Sequence, residues 1–519
     1  MDAPVTVTTP AGTFRGLLDR GVRSWRGIRF ALPPTGDRRW RDPLPAPDAE
    51  ADVDATAFGP VCPQPTIPAI RLGEEAVQDE DCLSLNVWAP SAEAGSPRPV
   101  MVWLHGGAYT FGSSSQPLYD ATSLVSAGDV VVVTVNYRLG ALGFLDLSGA
   151  VPRGGFDGNL ALKDVLLALR WVQRNVAAFG GDPDRVTVFG ESAGGGLITT
   201  LLATPSAGGL FHRAIAQSSP ASSVYGRERA TRVAGHFLTA LGVDAADPDA
   251  LRTASVDAIV AAGKTVYDEV PTSDPGTLAF APVIDGDLLP EAPITVLREG
   301  RGIPVPLMIG TNKDEASLFS FMKSPLIPIT GDRIDQMFAD MAAENTGVEL
   351  PTREQVLTAY EHVRQRAIGL GVARDIGFRL PTLWAAEGHS SVAPVWLYRF
   401  DHASPFLRLI GLGATHATEL PYLWGNLVAG PKDMTFRLGG RRVAELISAR
   451  MQARWIAFAR GDDPAAAGAP AWPTFTLDTD PVRATLVIDR HDLVVDDLDG
   501  ELRRAWGGYR PVVLLRTGS

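Results

Sequence analysis

Cysteine is nearly absent from this sequence and histidine is sparse: its 519 residues include 2 cysteines, Cys62 and Cys82, and 8 histidines. Two thiols cannot close a tetrahedral zinc site, and no His-Glu-x-x-His helix offers an alternative. The sequence therefore predicts neither a metal nor a cofactor. A Cys62–Cys82 bridge would close a loop of about 20 residues and add about 3 kcal/mol by constraining the unfolded chain. A pair of reduced, buried thiols in a reducing compartment is the other reading, and composition leaves the two even.

Positive charge is also short. Lys and Arg total 47 against 59 Asp and Glu, a formal net charge of −12, and no basic block stands out. A surface that tracks phosphates needs such a patch, so the sequence argues against nucleic acid as a partner, and an anionic membrane would repel the chain. No apolar run approaches the ~18 residues of a membrane span; the greasiest, Val130 to Val135, has strand length. The opening Met1-Asp2-Ala3-Pro4 carries neither a basic stretch nor an apolar one, so no secretion signal is visible and the expected location is the cytoplasm. What remains is ordinary: 45% hydrophobic, 20% charged and 8% aromatic residues, with mean hydropathy near zero. That is the make-up of a globular protein. Length alone suggests roughly three domains at about 150 residues each. With no internal repeat, low-complexity tract or long linker, one enlarged domain over residues 1–519 fits better.

The hydropathy pattern alternates strand and helix. Val5 to Thr8 and Thr13 to Gly16, around Pro10-Ala11-Gly12, read as an antiparallel edge hairpin. Strands follow at Leu83 to Trp88, Val100 to Leu104 and Val130 to Asn136, the last apolar enough to be buried on both faces. A helix is expected from about Leu160 to Phe179, where Leu162, Val165, Leu166, Leu169, Val172 and Val176 recur at helical spacing before Gly180-Gly181. Further strands are expected at Arg185 to Phe189, Ala214 to Gln217, Val305 to Ile309 and Val395 to Phe400. Helices are expected at Leu197 to Ala203 and Val443 to Arg460, and a late edge strand at Thr485 to Ile488. Such alternation predicts an α/β fold with a large, mainly parallel sheet and helices on both faces. Residues 316–390 read as a helical subdomain over one end of it.

Gly190-Glu191-Ser192-Ala193-Gly194 is a G-x-S-x-G between a predicted strand and a predicted helix. That context holds a serine on a strained turn with Oγ exposed, while the flanking glycines remove Cβ atoms that would clash. A serine so placed needs N–H donors for the oxyanion it generates. Ala193, after the nucleophile, supplies one, and the loop His105-Gly106-Gly107-Ala108-Tyr109 places others at Gly107 and Ala108. Serine also needs a histidine base oriented by a carboxylate, in chain order Ser, acid, His on α/β-hydrolases. Of the downstream histidines, His416 and His402 both lie near the end of the Val395 to Phe400 strand. Asn312-Lys313-Asp314-Glu315 follows the Val305 to Ile309 strand, and local logic does not separate Asp314 from Glu315.

These residues carry a resemblance to the type-B carboxylesterases, the family of bacterial para-nitrobenzyl esterases, mammalian liver carboxylesterases and cholinesterases. It spans nearly the whole chain, from Gly27-Ile28-Arg29-Phe30-Ala31 to Trp455-Ile456-Ala457-Phe458-Ala459 and Trp472-Pro473. Its most specific pieces are Glu80-Asp81-Cys82-Leu83-Ser84-Leu85-Asn86-Val87 and Gly180-Gly181-Asp182-Pro183 leading into Phe189-Gly190-Glu191-Ser192-Ala193-Gly194-Gly195. Asn136-Tyr137-Arg138 and Gly158-Asn159 also match. The resemblance implies the α/β-hydrolase fold with a helical cap, and it selects Glu315 as the acid. It also selects His416 as the base, through His416-Ala417-Thr418-Glu419 and the Pro421, Tyr422, Trp424, Gly425 run. It implies a short-loop disulfide between Cys62 and Cys82, which cytosolic members can keep reduced. The chain departs from the family at Ser84, where an aromatic is usual, and at Ser219, which replaces a common glycine. No tryptophan lies between Cys62 and Cys82, which removes the cation–π platform a cholinesterase uses for a quaternary ammonium.

The expected activity is hydrolysis of neutral carboxylic esters through an acyl-enzyme by Ser192, Glu315 and His416, without a cofactor. The substrate is expected to be a small-molecule ester and the protein a monomer. Candidate pocket residues are Glu191, Ser218, Phe319, Phe321 and Met322. The same triad would also serve carbamates, amides, lactones or aromatic diesters. A different class, a non-catalytic cholinesterase-like binding domain, is disfavoured because all three triad positions are filled.

Overall fold

Strands form where β-branched and apolar residues run, and in the computed structural model most of them join one sheet. The structure describes residues 3–506 apart from 69, 93–94, 274–277, 323, 325, 327–359, 361–364, 429–432 and 480–481. The chain opens with an antiparallel meander, β1 (Ala3–Thr9), β2 (Gly12–Asp19) and β3 (Val22–Arg29), with the short β4 (Val53–Asp54) beside β2. Then come β5 (Ser84–Pro90), β6 (Arg98–Leu104), β7 (Val131–Val135), β8 (Gly181–Glu191) and β9 (Arg213–Gln217). Next, β10 (Tyr225–Gly226) and β11 (Val283–Ile284) pair apart from the main sheet. The last four are β12 (Leu307–Asn312), β13 (Val395–Phe400), β14 (Thr485–Ile488) and β15 (Leu493–Val495).

The main sheet has 13 strands in the order β1-β2-β3-β5-β7-β6-β8-β9-β12-β13-β14-β15, with β4 on β2. From β7 through β14 every pairing is parallel. This is the α/β-hydrolase architecture that the alternating pattern and the resemblance imply. The first hairpin does lie at the edge. Thr485–Ile488 does not: it runs inside the sheet between β13 and β15, because Leu493–Val495 turns back to cover it.

Helices cover both faces, and strand periodicity divides the core accordingly. Val100, Val102 and Leu104 of β6 face one hydrophobic cluster, while Met101 and Trp103 face the other, as a two-residue period requires. The helix Leu160–Asn175 belongs to the first cluster and gives way to a tighter turn at Val176–Phe179, closed by Gly180 at φ 85. The helix Arg441–Arg460 packs on the second cluster through Ile447, Met451, Trp455 and Phe458. Of the expected helical stretch 316–390, the structure describes helices at Ser317–Phe321, Gln365–Arg374 and Leu380–His389, with a wider turn at Asp375–Arg379. Positions 327–359 and 361–364 lie outside the described residues. No helix among the described residues is long and apolar enough to cross a membrane.

Two features near the sheet bear on its stability. Cys62 and Cys82 are adjacent, but both are free, buried thiols rather than the disulfide the resemblance implies. The hydrogen bond to Cys62, followed by burial, pushes the Cys82 thiol well up. Cys62 Sγ also accepts the Leu139 N–H at 3.2 Å. Arg138 and Asp164 form a buried ion pair. Nε and Nη2 of Arg138 donate to the two Asp164 oxygens at 2.8 and 2.7 Å, and its backbone N–H adds a third bond. Removing one partner of such a pair leaves the other charge uncompensated. Asp164→Asn should therefore destabilise the protein by about 3–5 kcal/mol, read as a lower urea midpoint; an unchanged midpoint would refute it.

Candidate active site

The carboxyl ends of the parallel strands gather the chemistry. β6 and β8 are neighbours, but the chain leaves β6 toward β7 on one side and leaves β8 toward β9 on the other, which opens a crevice between their carboxyl ends, as parallel α/β sheets do. There β6 delivers His105-Gly106-Gly107, β8 delivers Ser192, β9 delivers Ser218 and β12 delivers Glu315. The strands are in register at this level: Leu104 pairs with Gly190, Glu191 with Gln217, and Gln217 with Gly310.

Ser192 holds φ 57 and ψ −124 between β8 and the helix Ala193–Leu202. The turn can be this tight because its glycines touch backbone. A Cβ on Gly190 would lie 2.6 Å from the Gly194 carbonyl carbon, and one on Gly194 would strike the Leu104 carbonyl. Gly106 is equally constrained: its Cβ would sit 3.0 Å from that of Ser192. Ala193 opens the fully buried helix, so its N–H has no intrahelical acceptor.

The expected triad residues meet. His416 Nε2 lies 2.8 Å from Ser192 Oγ, and His416 Nδ1 donates to Glu315 Oε2 at 2.7 Å. Glu315 is fully buried. Its other oxygen accepts the Asn312 N–H and the Ser218 hydroxyl, both at 2.6 Å. The two acids left open by the local sequence thus do different things. Asp314 exchanges main-chain and side-chain hydrogen bonds with Ala414, at 2.9 and 3.0 Å, and ties the acid's turn to the histidine's loop. His402 pairs with Asp489 at 2.9 Å.

Two further carboxyl groups surround the base. Glu191 Oε1 is 3.3 Å from His416 Nε2 and makes no hydrogen bond among the described residues. Burial raises Glu191 to about 8. Glu419 is fully buried and raised by burial as well; it accepts from Asn312 Nδ2 at 2.6 Å and Gln217 Nε2 at 3.0 Å. Burial by itself would lower His416, but the facing Glu191 and Glu315 outweigh it and raise the imidazole. His105, by contrast, is lowered to about 4 by burial, with its ring stacked on Tyr137 at 4.5 Å.

The loop after β6 presents backbone donors. Gly107, Ala108 and Tyr109 take positive φ values of 122, 51 and 57 in succession. This turn is braced by Thr110 and Phe111 N–H bonds to the Gly107 carbonyl, at 3.0 and 2.9 Å. Among the described residues the N–H groups of Gly107 and Ala108 have no acceptor. Ser192, His416 and Glu315 in line, with free N–H groups on the loop after β6, have the geometry that acyl transfer requires. No group of three or more metal-ligating side chains occurs among the described residues.

The expected pocket residues separate. Phe319 lies against His416 with ring centres 5.1 Å apart, as does Phe378 at 4.8 Å, which no sequence signal indicates. Phe321 and Met322 are corrected to surface positions, 66% and 42% exposed, because the short helix Ser317–Phe321 turns them outward. Ser218 supports the acid rather than facing open space.

The sequence profile of the carboxylesterase family matches residues 3–495. The chain is 38% identical over 508 residues to the para-nitrobenzyl esterase of Bacillus subtilis (strain 168), covering 96% of this chain and 97% of that protein. It is 36% identical over 497 residues to the phenmedipham hydrolase of Pseudarthrobacter oxydans, covering 93% and 95%. Among solved structures, a PNB esterase superposes with TM-score 0.82 at 36% identity, covering 96% of this chain and 99% of that one. A Geobacillus stearothermophilus carboxylesterase superposes with TM-score 0.81 at 35% identity, with the same coverage.

The carboxyl groups around His416 make its titration testable. Ionised Glu191 favours the imidazolium, so Glu191→Gln should move the His416 pKa downward. Proton NMR of the low-field imidazole resonances reads this directly, and an unchanged or higher value would contradict it.

Proposed function

Because this chain belongs to the carboxylesterase family, we propose that Ser192, His416 and Glu315 carry out its ester hydrolysis through an acyl-enzyme. The chain is a carboxylic ester hydrolase. In the proposed cycle His416 takes the Oγ proton as Ser192 attacks the ester carbonyl, and Glu315 holds the imidazole in place. The N–H groups of Gly107, Ala108 and Ala193 receive the oxyanion; each such donor contributes about 2.7–4 kcal/mol to the transition state. Collapse of the tetrahedral adduct passes the proton from His416 to the leaving alcohol. Water, deprotonated by His416, then releases the acid and restores Ser192.

The observation that carries this reading is the unbroken line from Ser192 Oγ through His416 to Glu315, at 2.8 and 2.7 Å. Neutral esters suit the site, since the aromatic rings of Phe319 and Phe378 flank His416.

Ser192→Ala should reduce p-nitrophenyl butyrate hydrolysis by about 10⁶ with its melting temperature nearly unchanged. Retained activity would exclude Ser192 as the nucleophile. An organophosphate should label one equivalent of wild-type enzyme and none of the variant. A p-nitrophenyl ester series from acetate upward, run beside carbamates and aromatic diesters, should show the simple esters turned over fastest. Thiol titration of the unfolded, unreduced protein should find both cysteines; finding none would mean that they are bridged.

A further inference from the structure

Arg379 ends the turn Asp375–Arg379 and is only 4% exposed. Its guanidinium spans two separate structures. On one side Nη2 donates to the main-chain carbonyls of Asn312 and Lys313, both at 3.2 Å. Those two residues end β12 and begin the turn that carries Glu315. On the other side Nη1 faces Asp499 at 3.6 Å and Asp375 at 3.9 Å.

The other charges around it are accounted for. Arg374 forks onto Asp375 at 2.6 and 2.8 Å, and the Tyr360 hydroxyl donates to the same carboxylate at 2.6 Å. Arg399 on β13 forks onto Asp401 at 2.7 and 2.8 Å and also faces Asp499 at 3.6 Å. Lys313 faces Asp401 at 3.6 Å. A buried cation needed only to join helices would put its donors on the two aspartates. Arg379 instead gives its hydrogen bonds to the carbonyls ahead of Glu315, and its Nε has no partner among the described residues.

We propose that Arg379 is a positioning residue for Glu315, and that Asp499, just ahead of the C-terminal helix Gly500–Trp506, anchors it. This rests on the reading of Glu315 as the acid of the triad. The Asn312 N–H that donates to Glu315 sits in the segment Arg379 clamps, and the Asn312 side chain reaches the Thr415 carbonyl beside His416. Loosening the clamp shifts the acid relative to the imidazole, and displacements of about 1 Å can cost 10²-fold in rate.

The test uses full-length enzyme with p-nitrophenyl acetate, well below each variant's melting temperature. Arg379→Met should lower kcat by about ten- to a hundredfold while KM stays within about twofold. It should also move the acid limb of kcat/KM to lower pH, because His416 loses the carboxylate that raises it. Arg379→Lys, which keeps a donor over the carbonyls, should recover most of kcat. Asp499→Asn should shift both readouts in the same direction by less. Arg374→Met, which removes a cation on the far side of Asp375, should lower the melting temperature and leave kcat and the pH profile alone. A folded Arg379→Met with full kcat and an unmoved acid limb would overturn the proposal, as would an equal loss in Arg374→Met. If Arg379→Met does not fold, an unchanged kcat and acid limb in Asp499→Asn would overturn it. Glu315→Gln separates the layers: full activity there removes the acid assignment itself, whereas inactivity there with unaffected Arg379 variants removes only the clamp.

Discussion

A serine at φ 57 and ψ −124 keeps that conformation only when its surroundings over-determine it. Ser192 is pinned from three directions. Its N–H donates to the Gln217 carbonyl on the neighbouring strand at 3.0 Å, and its carbonyl accepts the Gly196 N–H at 2.8 Å. The glycines around it press directly on the Leu104 and His105 backbone. The sheet register therefore sets Ser192, the proposed nucleophile, and the same contact places the loop after β6 against it. Larger residues at Gly106, Gly190 or Gly194 would force these segments apart.

From that fixed serine His416 and Glu315, the proposed base and acid, are held by a second constraint, two loops joined along their length. Asn312 links them most completely. Its N–H reaches Glu315, while its side-chain amide reaches both the Thr415 carbonyl and Glu419. Asp314 bonds Ala414, and the Leu318 N–H bonds Thr415 Oγ1 at 2.7 Å. Glu419 continues through the Gln217 side chain to Trp455 on the same face of the sheet, the last step 3.1 Å. The imidazole is thus set by a polar framework along one face of the sheet at its strand ends, with Phe319 and Phe378 shielding its sides. Polar groups buried to this degree are tolerated because nearly every one has a partner, and Glu191 Oε1 beside His416 is an exception within the site.

Some misreadings have plain causes. The strand Val22–Arg29 carries no clear sequence signal because Arg23, Arg26 and Arg29 hide its alternation, although Trp25 and Ile28 are fully buried. The arginines lie along apolar surface instead: Arg23 caps the Pro90 carbonyl and Arg26 sits over the Phe58 ring. Thr485–Ile488 was read as an edge because Leu493–Val495 is short and half-exposed, a weak signal for the strand that covers it. The resemblance pairs Cys62 with Cys82, which do lie together, but adjacency does not determine oxidation, and in the structure the two are free thiols.

The sequence by itself determined whatever depends on local chemistry. A Gly-rich turn between a strand and a helix needs no distant partner to place a serine, so Ser192 and its neighbouring donors were legible from spacing. The strand and helix periods likewise conveyed the sheet and its two covered faces. The choice of acid and base was not local, since Asp314 and Glu315, or His402 and His416, offer the same side chains within a few residues; resemblance alone separated them. Only the tertiary structure decided the roles of Ser218, Phe378 and Arg379. Their partners lie 97, 38 and about 66 positions away along the chain, and no periodicity encodes a hydrogen bond or ring contact that forms only when separate strand ends converge.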